Sequence, residues 1–304
     1  MERALLDAIE AAAAAGEQAA VATVVATIRS APRQPGAKLV VTDRGRLVGS
    51  VSGGCVEADV AERARGLFAG GAPELVRYGV ADEQAWEVGL ACGGEIDVFL
   101  DRADPPLWRS VRALLDAEQE GTLFTDTATG AKRLEPGVVE ETRLREDGVF
   151  VEALEQPLRL VVFGATDAAE HLCAFGRRLG WRTTVVDARP GLLTAERIPS
   201  AGELLRAWPD DVAARIDART AVVSTTHEER LDLPALAAAL RGGARYIGAI
   251  GSRRTQARRR ERLAEQGFSE PELDRIHGPA GLDLGGREPA EIALAIAAEI
   301  VSST

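Results

Sequence analysis

The chain reads as an α/β protein. An N-terminal α+β domain is expected over residues 1–156, and a C-terminal Rossmann-like domain, a doubly wound parallel sheet, over 157–304. Three observations carry this. From Leu158 onward, short β-branched runs alternate with helical runs, the pattern of linked βαβ units. Before Gln156, strands follow one another with Gly, Pro and Asp turns, and helices interrupt them only here and there. A length of 304 residues suits two domains, and 46% apolar with 27% charged residues is ordinary for a globular chain.

In the first domain, Leu5 to Ala15 is an alanine-rich helical run ended by Gly16. Ala20 to Ile28 is rich in Val and Thr and predicts a strand. Ser30 to Gly36 carries two prolines and must be a loop. Lys38 to Thr42 and Arg46 to Val51 predict a hairpin about Asp43-Arg44-Gly45. A helical pattern runs from Cys55 through Phe68, and Glu74 to Tyr78 and Glu95 to Leu100 predict strands. Leu107 to Glu118 reads as a helix. Gly121 to Ala128 and Val149 to Ala153 read as strands that extend the first sheet.

The stretch Gly49–Glu57, GSVSGGCVE, joins a strand to a helix through Ser52, Gly53 and Gly54. Paired glycines let the backbone take angles that other residues avoid. They are expected to leave the first helical amides open to an anion, with Cys55 on that first turn and Glu57 capping it. The competing reading is a tight turn with a small packed cysteine. Cys92-Gly93-Gly94 repeats this chemistry before the Glu95 strand. Neither cysteine has a partner at metal-ligand spacing, so no metal centre is expected. Arg33 and Lys38 are candidates to meet a phosphate, or ordinary surface charges.

In the second domain, Leu158 to Phe163 is an apolar strand, Ala168 to Leu179 a helix stopped by Gly180, and Arg182 to Val186 a strand ending at Asp187. Asp187 lies roughly 20 residues past the Gly164 turn, where a dinucleotide-binding unit places the acid that holds a ribose hydroxyl. The glycine fingerprint itself is broken: Gly164, Thr166 and Ala169 stand at its three positions. Thr166 puts a Cβ where a pyrophosphate would approach, and Asp167 adds a negative charge. Glu203 to Ala207, Thr220 to Ser224 and Arg245 to Ile250 continue the strands. Pro209 to Ile216, Pro234 to Arg241, Thr255 to Gln266 and Pro289 to Val301 continue the helices. Ligands of such sheets bind beyond the C-terminal strand ends. Gly164–Asp167, Thr225-Thr226-His227 and Gly251-Ser252-Arg253-Arg254 emerge there. Arg258-Arg259-Arg260 reads as a solvated helical face, Cys173 as core, and His171 and His277 as structural.

A formal net charge of −11 argues against non-specific nucleic-acid binding. Three cysteines leave an odd count with no disulfide framework, as in a reducing cytoplasm. No run approaches the roughly 20 apolar residues of a membrane helix. Met1-Glu2-Arg3-Ala4 opens an acidic amphipathic helix rather than a signal peptide.

SAPRQPGAK (Ser30–Lys38), GSVSGGCVE and ACGG (Ala91–Gly94) resemble the N-terminal half of the XdhC/CoxI family. YIGAIGSRR (Tyr246–Arg254) and GLDLGGREPAEIALAIAAEI (Gly281–Ile300) resemble its C-terminal half. These are accessory proteins of xanthine dehydrogenase and related molybdenum hydroxylases. The resemblance implies a maturation factor without turnover of its own. Such a protein binds molybdenum cofactor, as molybdopterin or its dinucleotide, takes part in its sulfuration and hands it to the apo-hydroxylase. A cysteine desulfurase is implied as a further partner, and a homodimer is expected. The implied cofactor-binding residues are Ser52, Gly53, Gly54, Cys55, Glu57, Cys92, Gly93 and Gly94 in the first domain. In the second they are Gly164, Asp187, His227, Gly251, Ser252, Arg253 and Asp283. The two cysteines are expected in a cleft between the domains at the molybdenum end, and the Rossmann crest at the phosphate end. Many family members read more like GAGHVA at the Gly164 turn, and that departure counts against ordinary dinucleotide binding. The alternative is an NAD(P)-dependent oxidoreductase, which Asp187 favours and Thr166 opposes. A third reading is an interaction subunit of a hydroxylase complex.

Overall fold

The structure, a computed structural model, describes residues 3–79 and 94–303. The chain divides into two compact units, Met1–Gln156 and Pro157–Thr304.

The first unit opens with α1 (Arg3–Ala14), β1 (Ala19–Ile28), β2 (Lys38–Thr42), β3 (Leu47–Gly49), α2 (Glu57–Phe68), β4 (Glu74–Tyr78) and β5 (Glu95–Arg102). The five strands form an antiparallel sheet in the order β3-β2-β1-β5-β4. Strand alternation sends Val24, Leu39 and Val98 to one face, where Val60, Ala64 and Leu67 of α2 cover them. Val21 and Val40 point to the other face, against Leu5, Leu6 and Ile9 of α1. That face also receives Trp108 and Val111 of α3 (Pro105–Asp116).

A second, four-stranded sheet follows: β6 (Gly121–Asp126), β7 (Lys132–Pro136), β8 (Arg143–Leu144) and β9 (Val149–Leu154), in the order β7-β6-β9-β8. This corrects the expectation that β6 and β9 extend the first sheet. Antiparallel pairing with β7 and β9 occupies both edges of β6. Leu123 and Leu154 instead pack face-on with α1 and α3, and Phe150 with Val25 and Phe99.

The second unit runs β10 (Arg159–Phe163), α4 (Asp167–Arg178), β11 (Arg182–Val186), β12 (Glu203–Leu205), a 3-10 turn at Pro209–Arg215, and β13 (Thr220–Ser224). It continues with α5 (Glu229–Arg241), β14 (Tyr246–Ala249), α6 (Arg253–Glu265), α7 (Glu270–Leu273), β15 (Ile276–His277) and α8 (Pro289–Ser302). All pairs are parallel, in the order β12-β11-β10-β13-β14-β15. β10 is central, between β11 and β13, as strict strand–helix alternation predicts. Leu160 and Val162 face α4 and α8, whereas Val161 and Phe163 face α5 and α6, so the sheet is wound on both sides.

Two expected elements differ. α5 begins at Glu229, not at Pro234, which sits inside the helix. The carbonyl that loses a partner there, that of Arg230, lies on the exposed first turn, so the proline is tolerated. The 209–216 segment is a 3-10 helix rather than an α-helix, and α7 and β15 follow where no element was expected.

Candidate functional site

The strand after Arg46 is short, and α2 begins only at Glu57, so Cys55 precedes the helix instead of opening it. Gly53 and Gly54 adopt φ of 81° and 121°, which a side chain would strain although no neighbouring atom fills the space. The loop closes around Glu57. Its Oε1 accepts from Ser50 Oγ at 2.6 Å, Val51 N at 3.1 Å and Ser52 N at 3.0 Å. Its Oε2 accepts from Ser52 Oγ at 2.6 Å, Gly54 N at 3.0 Å and Val56 N at 3.2 Å. Partial burial would raise this carboxyl, but the hydrogen bonds from Ser50 and Ser52 outweigh it and hold the pKa down to about 2.

Glu57 therefore caps the turn, as expected, but the open amides are not there. Gly53 N donates to Ser50 Oγ at 2.7 Å, and Cys55 N to Ser52 Oγ at 2.9 Å. The carboxylate of the chain itself occupies the anion position. Gly53, Gly54 and Cys55 remain exposed at the loop surface, while Ser52 is buried beneath them.

Cys92 and Gly93 lie outside the described residues. Gly94 packs against the start of the proline loop: a Cβ there would fall 2.0 Å from the Ser30 carbonyl oxygen. Lys38 is not available to a phosphate. Its Nζ pairs with Glu152 Oε1 at 2.5 Å, with the two side chains 3% and 8% exposed. A second buried pair, Lys132 with Asp101, joins β7 to β5. Desolvation raises Asp101, with the lysines opposing it.

In the second unit the strand ends form a crest. Gly164 (φ 107°) turns so close to the loop after β13 that a Cβ would sit 2.2 Å from Thr226 Cγ2. Thr225 Oγ1 donates to the Gly164 carbonyl at 2.9 Å. Thr166 is the N-cap of α4, its hydroxyl accepting from Ala169 N at 3.2 Å. Asp187 is fully buried and engaged from within the chain by Ala165 N and Arg189. It is not free to meet a ribose. His227 is exposed past the end of β13.

Beyond β14, Gly251 (φ 125°) leads to Ser252, the N-cap of α6, whose hydroxyl accepts from Thr255 N at 3.2 Å. Ser252, Arg253 and Arg254 are exposed. Arg259, further along α6, is not part of a solvated face. It is buried, donating to Asp232, to the Ile250 carbonyl at 2.6 Å and to the Thr226 carbonyl at 3.1 Å. Asp232 also accepts from Ser224 Oγ at 2.6 Å and from Thr226 Oγ1. One buried network thus holds the loops after β13 and β14 in register. The arginine run concealed it, because only helix phase and the neighbouring sheet put the middle arginine inside.

Asp283 is exposed on the segment before α8. The chain enters that segment beside β14, with Ala280 N donating to the Ala249 carbonyl at 3.0 Å. His277 stacks on Tyr246 at 4.7 Å and pairs through Nδ1 with Glu299 Oε1 at 3.1 Å. Glu299 Oε2 also accepts from Tyr246 Oη at 2.5 Å and from Gly281 N at 2.7 Å, so this group anchors the segment. Cys173 lies in the core, and burial pushes its thiol up to about 12.

An antiparallel unit bearing an exposed Gly-Gly-Cys loop, followed by a six-stranded Rossmann-ordered sheet, defines a recognisable class. A family model for the XdhC Rossmann domain matches residues 160–300, and one for the XdhC and CoxI family matches residues 12–79. The chain belongs to the XdhC and CoxI family. It is 29% identical over 290 residues to the molybdenum cofactor insertion chaperone PaoD of Escherichia coli, covering 94% of this chain and 84% of that protein. It is 28% identical over 315 residues to a probable xanthine dehydrogenase subunit of Bacillus subtilis, covering 94% of this chain and 93% of that protein. A crystal structure described as a xanthine dehydrogenase from Bacillus halodurans superposes with a TM-score of 0.82 at 25% identity, over 98% of this chain and 95% of that one.

Proposed function

We propose that this protein is a maturation factor that binds molybdenum cofactor as cargo and delivers it to an apo-hydroxylase of the xanthine dehydrogenase type. The observation that carries this reading is the full-length similarity to a relative named as a molybdenum cofactor insertion chaperone. The exposed groups suit the cargo. In the first unit, exposed Gly53, Gly54 and Cys55, carried on the buried Ser52, are offered to its molybdenum and sulfur atoms, which favour thiolate contacts, and Cys92, Gly93 and Gly94 are assigned to the same end on the family resemblance. In the second unit, exposed His227, Ser252, Arg253 and Asp283 border the strand ends beside Gly251, and the α6 terminus with Arg253 suits a phosphate. Sulfuration with a cysteine desulfurase, a homodimeric state, a cytoplasmic location and a choice between the mononucleotide and dinucleotide cofactor belong to the same reading. Among the described residues no helix is long and apolar enough to cross a membrane.

The test is to load the purified full-length chain with molybdenum cofactor, remove free cofactor, and measure bound molybdenum and the activation of an apo-hydroxylase. Delivery predicts retained molybdenum and faster activation than free cofactor gives. Cys55→Ala and Arg253→Ala are expected to lower retention without lowering Tm. Failure of the wild-type chain to retain cofactor or to accelerate activation overturns the proposal.

A further inference from the structure

A Rossmann strand order implies a dinucleotide, and the residues at this crest do not fit one. In such sheets an acid at the end of the second strand accepts hydrogen bonds from the ribose hydroxyls. Asp187 ends β11 at that position. A carboxylate has about four acceptor directions, and the chain itself fills them. Ala165 N donates to Oδ2 at 2.8 Å and Arg189 N to Oδ1 at 2.9 Å. Arg189 Nε donates to Oδ1 at 2.9 Å and Nη2 to Oδ2 at 2.6 Å, a two-pronged, charge-assisted pair. The Asp187 side chain is 0% exposed.

Arg189 does not simply substitute a site for a 2′-phosphate. Its Nη1 reaches Glu228 Oε2 at 3.4 Å, so two carboxylates compensate its charge. The guanidinium is anchored to the end of β11 and to the N-terminus of α5. The pyrophosphate side of the crest is closed too. Thr226 fills the space above Gly164, and Thr166 turns its hydroxyl to cap α4.

We propose that Arg189 is a specificity-determining plug. By occupying Asp187 it denies a nicotinamide dinucleotide the carboxylate that would hold its ribose diol at this crest. A diol can enter only by displacing a bidentate ion pair whose carboxylate is fully buried, without replacing its charge. The Rossmann-ordered sheet is thereby kept for a different ligand in a cell rich in NAD(H).

The test is a fluorescence titration of the full chain, free of molybdenum cofactor, with NADH. Wild type is expected to show no saturable binding. Arg189→Ala is expected to gain affinity by at least about tenfold, as a carboxylate regains hydroxyl donors. Arg189→Ala with Asp187→Asn is expected to lose that gain. If Arg189→Ala does not fold, Arg189→Gln, which frees at least one acceptor direction of Asp187, carries the same comparison. Wild-type binding as tight as the variant's, a folded variant without gain, or a gain that survives Asp187→Asn each overturns the plug. Because no molybdenum cofactor enters the titration, its outcome is independent of the delivery role.

Discussion

Arg259 on α6 and Asp232 on α5 form an ion pair whose side chains are only 3% and 1% exposed. With Ser224 and Thr226 it links the loops that follow β13 and β14. Removing one partner of such a pair leaves a buried charge, at a cost of about 3–5 kcal/mol. Arg259→Met is therefore expected to lower the stability of the second unit by that amount, read by urea unfolding followed through Trp181 and Trp208. Hydrogen exchange at Thr226 and Gly251 should rise as well. An unchanged midpoint would remove the network from any role in shaping the crest.

Lys38 and Glu152 join the two sheets of the first unit in the same way. Lys38→Met alone is expected to cost about 3–5 kcal/mol, and adding Glu152→Leu to recover most of it, because well-packed apolar groups can replace a buried pair. A double-mutant cycle on Tm and urea midpoints measures the coupling. If Lys38→Met instead left stability intact and weakened phosphate binding, the lysine would be a ligand contact after all.

The Glu57 loop has a pH signature. A carboxyl held down to about 2 from an ordinary 4.5 contributes stability that is fully present above 4.5 and is lost as pH falls through about 2. Amide exchange at Ser52, Gly54 and Val56 is expected to accelerate, after correction for intrinsic rates, between pH 4.5 and 2. Glu57→Ala should abolish that pH dependence and cost about 1.5–3 kcal/mol, the worth of hydrogen bonds to a charged group. Persistence of the pH step in the variant would assign it to another group.

The two described cysteines should differ sharply towards a thiol reagent. Cys55 is exposed, whereas Cys173 is buried with its thiol raised to about 12, so it stays protonated at neutral pH. Alkylation of the native chain followed by peptide mass spectrometry is expected to label Cys55 within minutes and Cys173 only after unfolding. Equal labelling of both would contradict the packing of α4 on its sheet.

Local pattern carried most of the fold. The β-branched runs Arg182–Val186 and Thr220–Ser224 appear in the structure with the bounds expected of them, because Val and Thr suit a pleated, largely buried strand. Strand–helix alternation then allows little but a parallel, doubly wound order. The Gly-Gly-Cys loop and its Glu57 cap were legible for a similar reason: their hydrogen bonds close within a few residues. What a side chain does over longer distances was not legible. Lys38, Asp187 and Arg259 looked like charges available to a ligand or to water, and each is buried against a charged partner that spacing alone does not reveal. The separate second sheet also escaped, since edge pairing depends on which strands meet in space. Composition and periodicity by themselves determined most of the longer strands and helices and how they alternate, but not the short β7, β8, α7 and β15. Only the tertiary structure decided which charges remain free. Burial of an ion is set by what packs against it, and that partner can lie anywhere in the chain.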